Sequence, residues 1–397
     1  MLNEQSFDAP VIHVVSESPR LEMLQARLRQ AGIRPVPVRG SYIPPDSAPA
    51  LIDLLTRSLD VDDRDLRLII TLGRDARPPD RSNIHLTDIG QSASLPARIA
   101  IRRREQQRRR EIKLRGETLK KIGSSPSANR STQRARVLWL GNDAPFLNAL
   151  KSSLKAADIS LVAAISHLTA EDYLESGRFK TLALCPSAPD DEAVKLLARV
   201  KRLPLVQAPH VVVLLAPGLA AKLDRNTLAQ ADQILDLGND LDLVAAQLKG
   251  LCVAPGLQAE PVKGLASMAQ DQATGLVSRA YLETHLRAQM DQADELATPL
   301  CVISIDLKDN EDLRAVARKI KVLLRDTDLA ARLDAQHICI TLPETQYRGA
   351  IVLARRIEES LERAVNWRVI ERRQFHTLSS LLGGLTARSG LSQSRSA

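Results

Sequence analysis

Aromatic residues are scarce. Phe, Trp and Tyr together make up 3% of the 397 residues, so any core has to be assembled from Leu, Val, Ile and Ala. Long apolar runs are missing too, and none reaches the roughly 20 residues that a membrane-crossing helix needs. The opening stretch MLNEQSFDAP has neither a basic leader nor an apolar segment, and the expectation is a chain that is not exported. Cysteine is rare as well. Cys185, Cys252, Cys301 and Cys339 lie far apart and three of them sit in apolar runs, which argues against a zinc site and against a disulfide framework. A reducing cytoplasm is the expected location. Hydrophobic residues at 44% and charged residues at 26% are ordinary for a globular protein, and the length allows roughly two to four domains.

Charge is unevenly spread. The net charge is +8, yet most of the excess lies between Arg98 and Arg136, in a stretch containing RRREQQRRREIKLRGETLKK. The basic character therefore describes one segment and not a whole surface. A helix over Arg102–Lys121 carries arginines on most faces. No aromatic residue interleaves with them. The segment reads either as a bridging helix partly paired by Glu105, Glu111 and Glu117, or as a nucleic-acid contact, with the first favoured.

Strand and helix signals alternate from Val11 onward. Val11–Val15 predicts a buried strand, and Arg20–Gln30 a helix with Leu21, Leu24 and Leu28 on one face, stopped by Gly32. Ile33–Val38 reads as a second strand, Ala48–Leu59 as a helix, Leu66–Leu72 as a third strand and Asn83–Leu86 as a fourth. This is a βαβ series one unit short of five strands. A helix from about Leu95 to Lys121 closes a first domain, 1–122, and 123–134 has the composition of a linker. In 135–255, strands are expected at Arg136–Leu140, Ser160–Ile165, Thr181–Cys185, His210–Leu215 and Gln233–Leu237. The helices expected there are Ala144–Ala156, Ala170–Ser176, Asp190–Lys201, Leu219–Gln230 and Leu241–Leu251, a full flavodoxin-like series. After a second linker, 256–267, the segment 268–385 predicts helix Arg279–Gln292, strand Leu300–Ile305, helix Glu311–Leu324, strand His337–Leu342, helix Tyr347–Val365 and a strand near Thr377–Leu381. The fold class is therefore α/β multidomain: two flavodoxin-like domains, the first degenerate, and an α+β domain around an antiparallel or mixed sheet. The tail 386–397 is expected to be disordered.

The second segment resembles a response-regulator receiver domain in topology. That resemblance implies carboxylates ending the first strand to hold Mg²⁺, an acceptor Asp ending the third, a hydroxyl ending the fourth and a Lys ending the fifth. Here the first strand ends Leu140-Gly141-Asn142-Asp143, and the acceptor position aligns with Cys185, the hydroxyl position with Leu215 and the Lys position with Leu237. A thiol does not replace a carboxylate as a Mg²⁺ ligand. In the first segment the expected third strand ends in Thr71, Leu72 and Gly73. Both domains are expected to dock or dimerise without phosphoryl chemistry.

The third segment carries a motif-level resemblance. Asp271-Gln-Ala-Thr-Gly-Leu-Val-Ser-Arg279-Ala-Tyr-Leu282 looks like the D-x-L-T-G-L-x-N-R-x-x-L opening of GGDEF diguanylate cyclase domains. Arg332-Leu-Asp-Ala-Gln-His-Ile-Cys-Ile-Thr-Leu-Pro-Glu-Thr345 aligns with that family's signature hairpin. The signature itself is replaced by Asp334, Ala335, Gln336, His337 and Ile338, and the metal Asp of the preceding strand aligns with Ser304, leaving Asp306 alone. A neutral amide and an imidazole do not make a hard-oxygen Mg²⁺ cage, so the resemblance implies a domain without catalysis or metal. His337 has only Cys339 as a close partner, too few ligands for zinc.

The family's inhibitory site, an R-x-x-D motif five residues before the signature, aligns with Arg325-Asp-Thr-Asp328, and a second arginine aligns with Arg356. The resemblance implies cyclic di-GMP as a regulatory ligand. Guanidinium donates a bidentate pair to guanine O6 and N7 or clamps phosphate, and a carboxylate accepts from the guanine N1–H and N2–H₂ edge. The plainer alternative is that Arg325 and Asp328 pair with each other across one turn, for about 0.2–0.5 kcal/mol. In domain order the chain resembles PleD/PopA-type receiver–receiver–GGDEF proteins, closest in character to the non-catalytic PopA type. The resemblance implies a cyclic di-GMP effector without a cofactor. Its partners would be proteins, such as a protease adaptor or cell-cycle regulator, its state a homodimer, and its place of action the cell pole. Two other readings stay open: a ligand-free scaffold pairing with an active cyclase, and nucleic-acid binding through residues 102–121.

Overall fold

Short aliphatic runs become strands wherever neighbours can cover both faces. In a computed structural model of the chain, the described residues are 10–16, 20–38, 48–55, 68–73, 83–123, 136–155, 157–176, 179–203, 209–237, 241–253, 269–307 and 312–386. They fall into two compact units. One is bounded by Met1–Glu105 and Ser131–Pro255, the other by Gln106–Arg130 and Gly256–Ala397. The expected tail and both expected linkers lie almost wholly outside the described residues.

In the first unit, β1 (Val11–Val15), α1 (Arg20–Gln30), β2 (Arg34–Val38), β3 (Ala50–Asp53), β4 (Ile69–Leu72) and β5 (Ile84–Leu86) precede α2 (Leu95–Lys121). The five strands are parallel in the order β2-β1-β3-β4-β5. The sheet is thus complete in strands, which corrects the expected four. Of the helix expected over Ala48–Leu59, the described part, 48–55, is not helical. Its core, Ala50-Leu51-Ile52-Asp53, is a fully buried strand between β1 and β4. A short apolar run buried on both faces has no period to separate strand from helix.

The second sheet is built from β6 (Arg136–Gly141), α3 (Ala144–Lys155), β7 (Ser160–Ala164), α4 (His167–Glu175), β8 (Thr181–Cys185), α5 (Glu192–Arg199), β9 (His210–Leu215), α6 (Arg225–Leu228), β10 (Gln233–Asp236) and α7 (Leu241–Val253). Its order, β10-β9-β8-β6-β7, repeats that of the first sheet. The expected helix Leu219–Gln230 is instead a 3₁₀ turn, Leu219–Lys222, followed by the short α6. The Asp224 side chain accepts from the Thr227 N–H and starts a new helix there. The N-terminal turns of α2 serve both cores. Leu95 and Ile99 pack with β1, β3 and β4, whereas Ala97 and Ile101, two residues out of phase, pack with the second sheet's cluster around Leu219, Leu228 and Ile234. Arg98 Nη2 pairs with Asp236 Oδ2 at 2.6 Å, and Arg104 donates to the Ala229 and Ala231 carbonyls.

The second unit takes residues 106–121 of α2 together with α8 (Arg279–Glu295), β11 (Leu300–Asp306), α9 (Leu313–Leu323), β12 (Leu329–Arg332), β13 (His337–Pro343), α10 (Tyr347–Leu361), β14 (Trp367–Glu371) and α11 (Leu378–Thr386). The sheet is antiparallel, ordered β12-β13-β11-β14. Alternate residues of β11 face opposite layers. Leu300 and Val302 meet α8, α11 and Leu119 of α2, while Cys301, Ile303 and Ile305 meet α9 and α10. Thr377–Leu381 is not a strand. Leu378, Leu381, Leu382 and Leu385 recur at helical spacing and put one face of α11 on this core. The edge strands β12 and β14 were not expected. Their residues are too few and too mixed in polarity to stand out from turns.

Replacing Ile101 with Ala should destabilise the first unit by about 2–4 kcal/mol, because the cavity opens under a helix that closes two cores. Denaturant unfolding measures this, and a loss below about 0.5 kcal/mol, the range of surface changes, would contradict the shared packing.

Candidate functional site

The R-x-x-D turn begins where α9 stops. Leu324 turns to an extended conformation, and residues 325–328 fold into a tight turn that leads into β12. The turn is closed twice: Asp328 N–H donates to the Arg325 carbonyl at 3.0 Å, and Arg325 N–H donates to Asp328 Oδ2 at 2.8 Å. The expected alternative, a pair between the two side chains, is therefore not what forms. The carboxylate caps backbone and the Arg325 guanidinium stands exposed, without an acidic partner among the described residues. Arg356 is also exposed and has no ion-pair partner among the described residues; it lies on α10, which shares a layer with α9 through Val316, Ile320, Ala354 and Ile357.

Asp328 is placed otherwise. It is 8% exposed, and its Oδ1 is buried without a hydrogen-bond partner among the described residues. Burial pushes its carboxyl up to about 6, against the pull of the Arg325 N–H and of the Arg325 and Arg115 charges. The cover comes from α2. Arg115 Nη2 donates to the Asp328 carbonyl at 3.1 Å, and Arg108 lies 3.6 Å from Asp326. Farther along α2, Gln107 donates to the Pro343 carbonyl and Arg110 pairs with Glu344.

A buried polar cluster anchors this part of α2. Glu111, 3% exposed, accepts from Arg115 Nε at 2.6 Å, His285 Nε2 at 2.8 Å and Gln289 Nε2 at 3.2 Å. Thr118 Oγ1 lies 3.0 Å from His285 Nδ1, and Tyr281 stacks on the His285 ring. Burial alone would raise the Glu111 carboxyl, but the hydrogen bond and charge of His285, with Arg115 and Gln289, outweigh it and bring it down to about 2. Glu111 thus pairs within the basic run, with Arg115, but at a buried position of the second unit and not on a solvated face.

At residues 334–338, the β12–β13 hairpin closes with Leu333 and Asp334 N–H directed at the His337 carbonyl. Asp334 Oδ1 accepts from Gln336 N–H and sits 2.8 Å from His337 Nδ1, while His337 Nε2 lies 3.6 Å from Asp306. Arg332 donates to the Asp334 carbonyl and approaches Asp271 at 3.5 Å. Ala335 and Gln336 are exposed, and Ile338 is buried in the core. No residue of the turn has a positive φ, so it does not require glycine. Ser304 is fully buried in β11, and its hydroxyl has no hydrogen-bond partner among the described residues. The opening motif is a working turn: Asp271 Oδ2 accepts from Thr274 N–H and Oγ1, and Gly275 takes φ +66°. Burial opposes ionisation of Asp271, but the Thr274 bonds prevail and hold its carboxyl below the usual range.

At the C-terminal ends of β6 and β8, Cys185 is 3% exposed, and burial, then Asp143 and Asp191, push its thiol up to about 12. The neighbouring acids act as helix caps: Asp143 accepts from Phe146 N–H, and Asp191 from Ser187 and Ala193. The first sheet differs, and here the expectation of which residues end its third strand needs correcting. Its third strand in chain order is β3, which ends in Asp53 and not in Thr71-Leu72-Gly73. Asp53 is fully buried, taking bonds from Ser16 Oγ at 3.0 Å and Leu55 N–H at 3.2 Å. It escaped the sequence pattern because Ala48–Leu59 reads as helix; an acid directly after Ala-Leu-Ile was the available signal.

Asp328, with its carboxyl raised above the unfolded value of 3.8, gives the folded state more stability when protonated. That contribution is present below about pH 4 and is lost as pH rises through about 6. Asp328→Asn should therefore exceed the wild type in stability by about 1–3 kcal/mol at pH 7.5, with the advantage vanishing near pH 4. Urea unfolding at the two pH values decides it; an equal difference at both would contradict the buried, strained carboxylate.

Residues 268–386 match the family model described as diguanylate cyclase, GGDEF domain. No curated protein matches the chain. Among solved structures, the GGDEF domain of DgcB from Caulobacter crescentus, in complex with c-di-GMP, is 18% identical, covering 30% of this chain and 82% of that one with a TM-score of 0.28. Diguanylate cyclase SiaD from Pseudomonas aeruginosa, in complex with its activator SiaC, is 21% identical, covering 36% and 61% with a TM-score of 0.28. A response regulator from Chloroflexus aurantiacus is 18% identical, covering 30% and 98% with a TM-score of 0.26. Among the described residues no helix is long and apolar enough to cross a membrane. The chain joins two sheets of receiver-like strand order to a segment that matches the GGDEF domain.

Proposed function

We propose that the chain is a non-catalytic cyclic di-GMP effector: it binds the dinucleotide at Arg325, Asp328 and Arg356 and acts through protein partners, a second copy among them. The observation that carries this reading is the pair of exposed guanidinium groups without an ion-pair partner among the described residues, one where α9 ends and one on the adjacent α10. Two such groups in one helical layer suit a ligand with two guanines and two phosphates, since each offers a planar bidentate donor set. Support for the loss of synthesis comes from the hairpin. Asp334 and His337 satisfy each other, Gln336 is a neutral amide, and a buried hydroxyl occupies position 304. None of these offers the clustered carboxylate oxygens that phosphoryl transfer with Mg²⁺ requires.

The test is calorimetry with cyclic di-GMP on the full chain. Wild type should bind, Arg325→Ala should lose at least tenfold in affinity, about 1.4 kcal/mol, and Arg356→Ala should weaken binding as well. No GTP turnover is expected with Mg²⁺ or Mn²⁺. Unaltered binding in both variants, or synthesis of cyclic di-GMP, would overturn the reading. A ligand-free scaffold is the second reading, favoured by the burial of Asp328, and it predicts no heat. Nucleic-acid binding through residues 102–121 loses support from the many arginines there that already have partners: Arg102, Arg104, Arg110 and Arg115.

For the first sheet, Asp53 favours a phosphoryl acceptor, because a carboxylate ending the middle strand of a 2-1-3-4-5 parallel sheet stands at the ligand edge of that topology. Acetyl phosphate with Mg²⁺ should add one phosphoryl group to the wild type and none to Asp53→Asn, read by intact mass; equal labelling of both proteins would exclude Asp53.

A further inference from the structure

Asp328 cannot serve two partners at once. A guanine edge needs its carboxylate at a surface, whereas the folded chain places it under α2, with one oxygen on Arg325 N–H and the other unsatisfied. Residues 106–121 are held there by bonds of two kinds. At the rim are Gln107 to the Pro343 carbonyl, Arg108 near Asp326 and Arg110 to Glu344. At the centre Glu111 gathers Arg115, His285 and Gln289, and Leu119 is buried in the core cluster of α8 and α11. Arg115 belongs to both sets: it is paired with Glu111 and also bonded to the Asp328 carbonyl. Whatever loosens the Glu111 cluster therefore also frees the R-x-x-D turn.

We propose that residues 106–121 of α2 form a releasable strap over the R-x-x-D turn, so that docking of the strap and capture of cyclic di-GMP at Asp328 exclude each other. This rests on the effector reading above. The unsatisfied Asp328 oxygen makes the docked state locally strained, and the ligand supplies the donors that the docked state withholds. Because coupling is reciprocal, a ligand that needs the strap released weakens its docking, and a weakened strap strengthens the ligand by the same factor. The strap is continuous in sequence with the α2 turns that close both receiver-like cores, so its release is a signal in the chain's own backbone.

Hydrogen exchange and calorimetry on the full chain test this. Arg110→Glu sets like charges against Glu344 at the rim and leaves the core intact; Glu111→Gln weakens the centre. Without ligand, both should speed amide exchange in 106–121 and 325–332, and both should tighten cyclic di-GMP binding by about tenfold. In wild type, saturating cyclic di-GMP should speed exchange in 106–121, and in Arg325→Ala it should not. The strap is overturned if dinucleotide binds wild type while 106–121 keeps its protection, or if Arg110→Glu leaves exchange in 325–332 unchanged. If exchange in 325–332 rises in Arg110→Glu but neither protein takes up cyclic di-GMP, the strap's cover of the turn stands and the effector reading fails.

Discussion

A carboxylate kept from water beside an imidazole and a guanidinium organises the second unit. Glu111 is ionised despite its burial because Arg115, His285 and Gln289 replace the water it gave up. Such a cluster adds little net stability, but removing one member leaves an uncompensated charge and costs about 3–5 kcal/mol. Its effect is therefore one of position. It fixes where the second half of α2 lies on α8, and this places Arg115 against the R-x-x-D turn. The burial of Asp328 follows from it.

The same helix explains why the basic run has so little free charge. The basic run reads as a solvated face, yet its arginines are used on carbonyls as well as on acids: Arg104 on Ala229 and Ala231, Arg115 on Asp328. Carbonyl acceptors carry no sequence signature, so charge counting overestimates what such a segment has left for a partner. The bridging expectation for this helix was sound in kind. Its details, Glu111 turned inward and Leu119 in a core, were not visible in the order of residues.

What was legible followed periodicity and turn chemistry. The second sheet, α2 and the Asp271-Thr274-Gly275 turn all come from signals within a few residues of each other. What was not legible depended on partners distant in the chain. Ala50–Asp53 is a strand only because β1 and β4 flank it. Trp367–Glu371 is one only because β11 offers it an edge. Of the candidate site, the R-x-x-D register and the altered signature could be read directly. The capping role of Asp328 and the bond between Asp334 and His337 could not, since a side chain's choice between backbone and neighbour is made in three dimensions.

The junction of β6 and β8 has a consequence for substitution. A Cβ added at Gly141 would meet the Cys185 carbonyl oxygen at 2.6 Å and its Cβ at 2.7 Å. Glycine at 141 is what lets these two strand ends lie so close, since any side chain there would meet backbone. A larger side chain at 141 would have to part the strand ends before it could fit, so changes at 185 and at 141 are not independent.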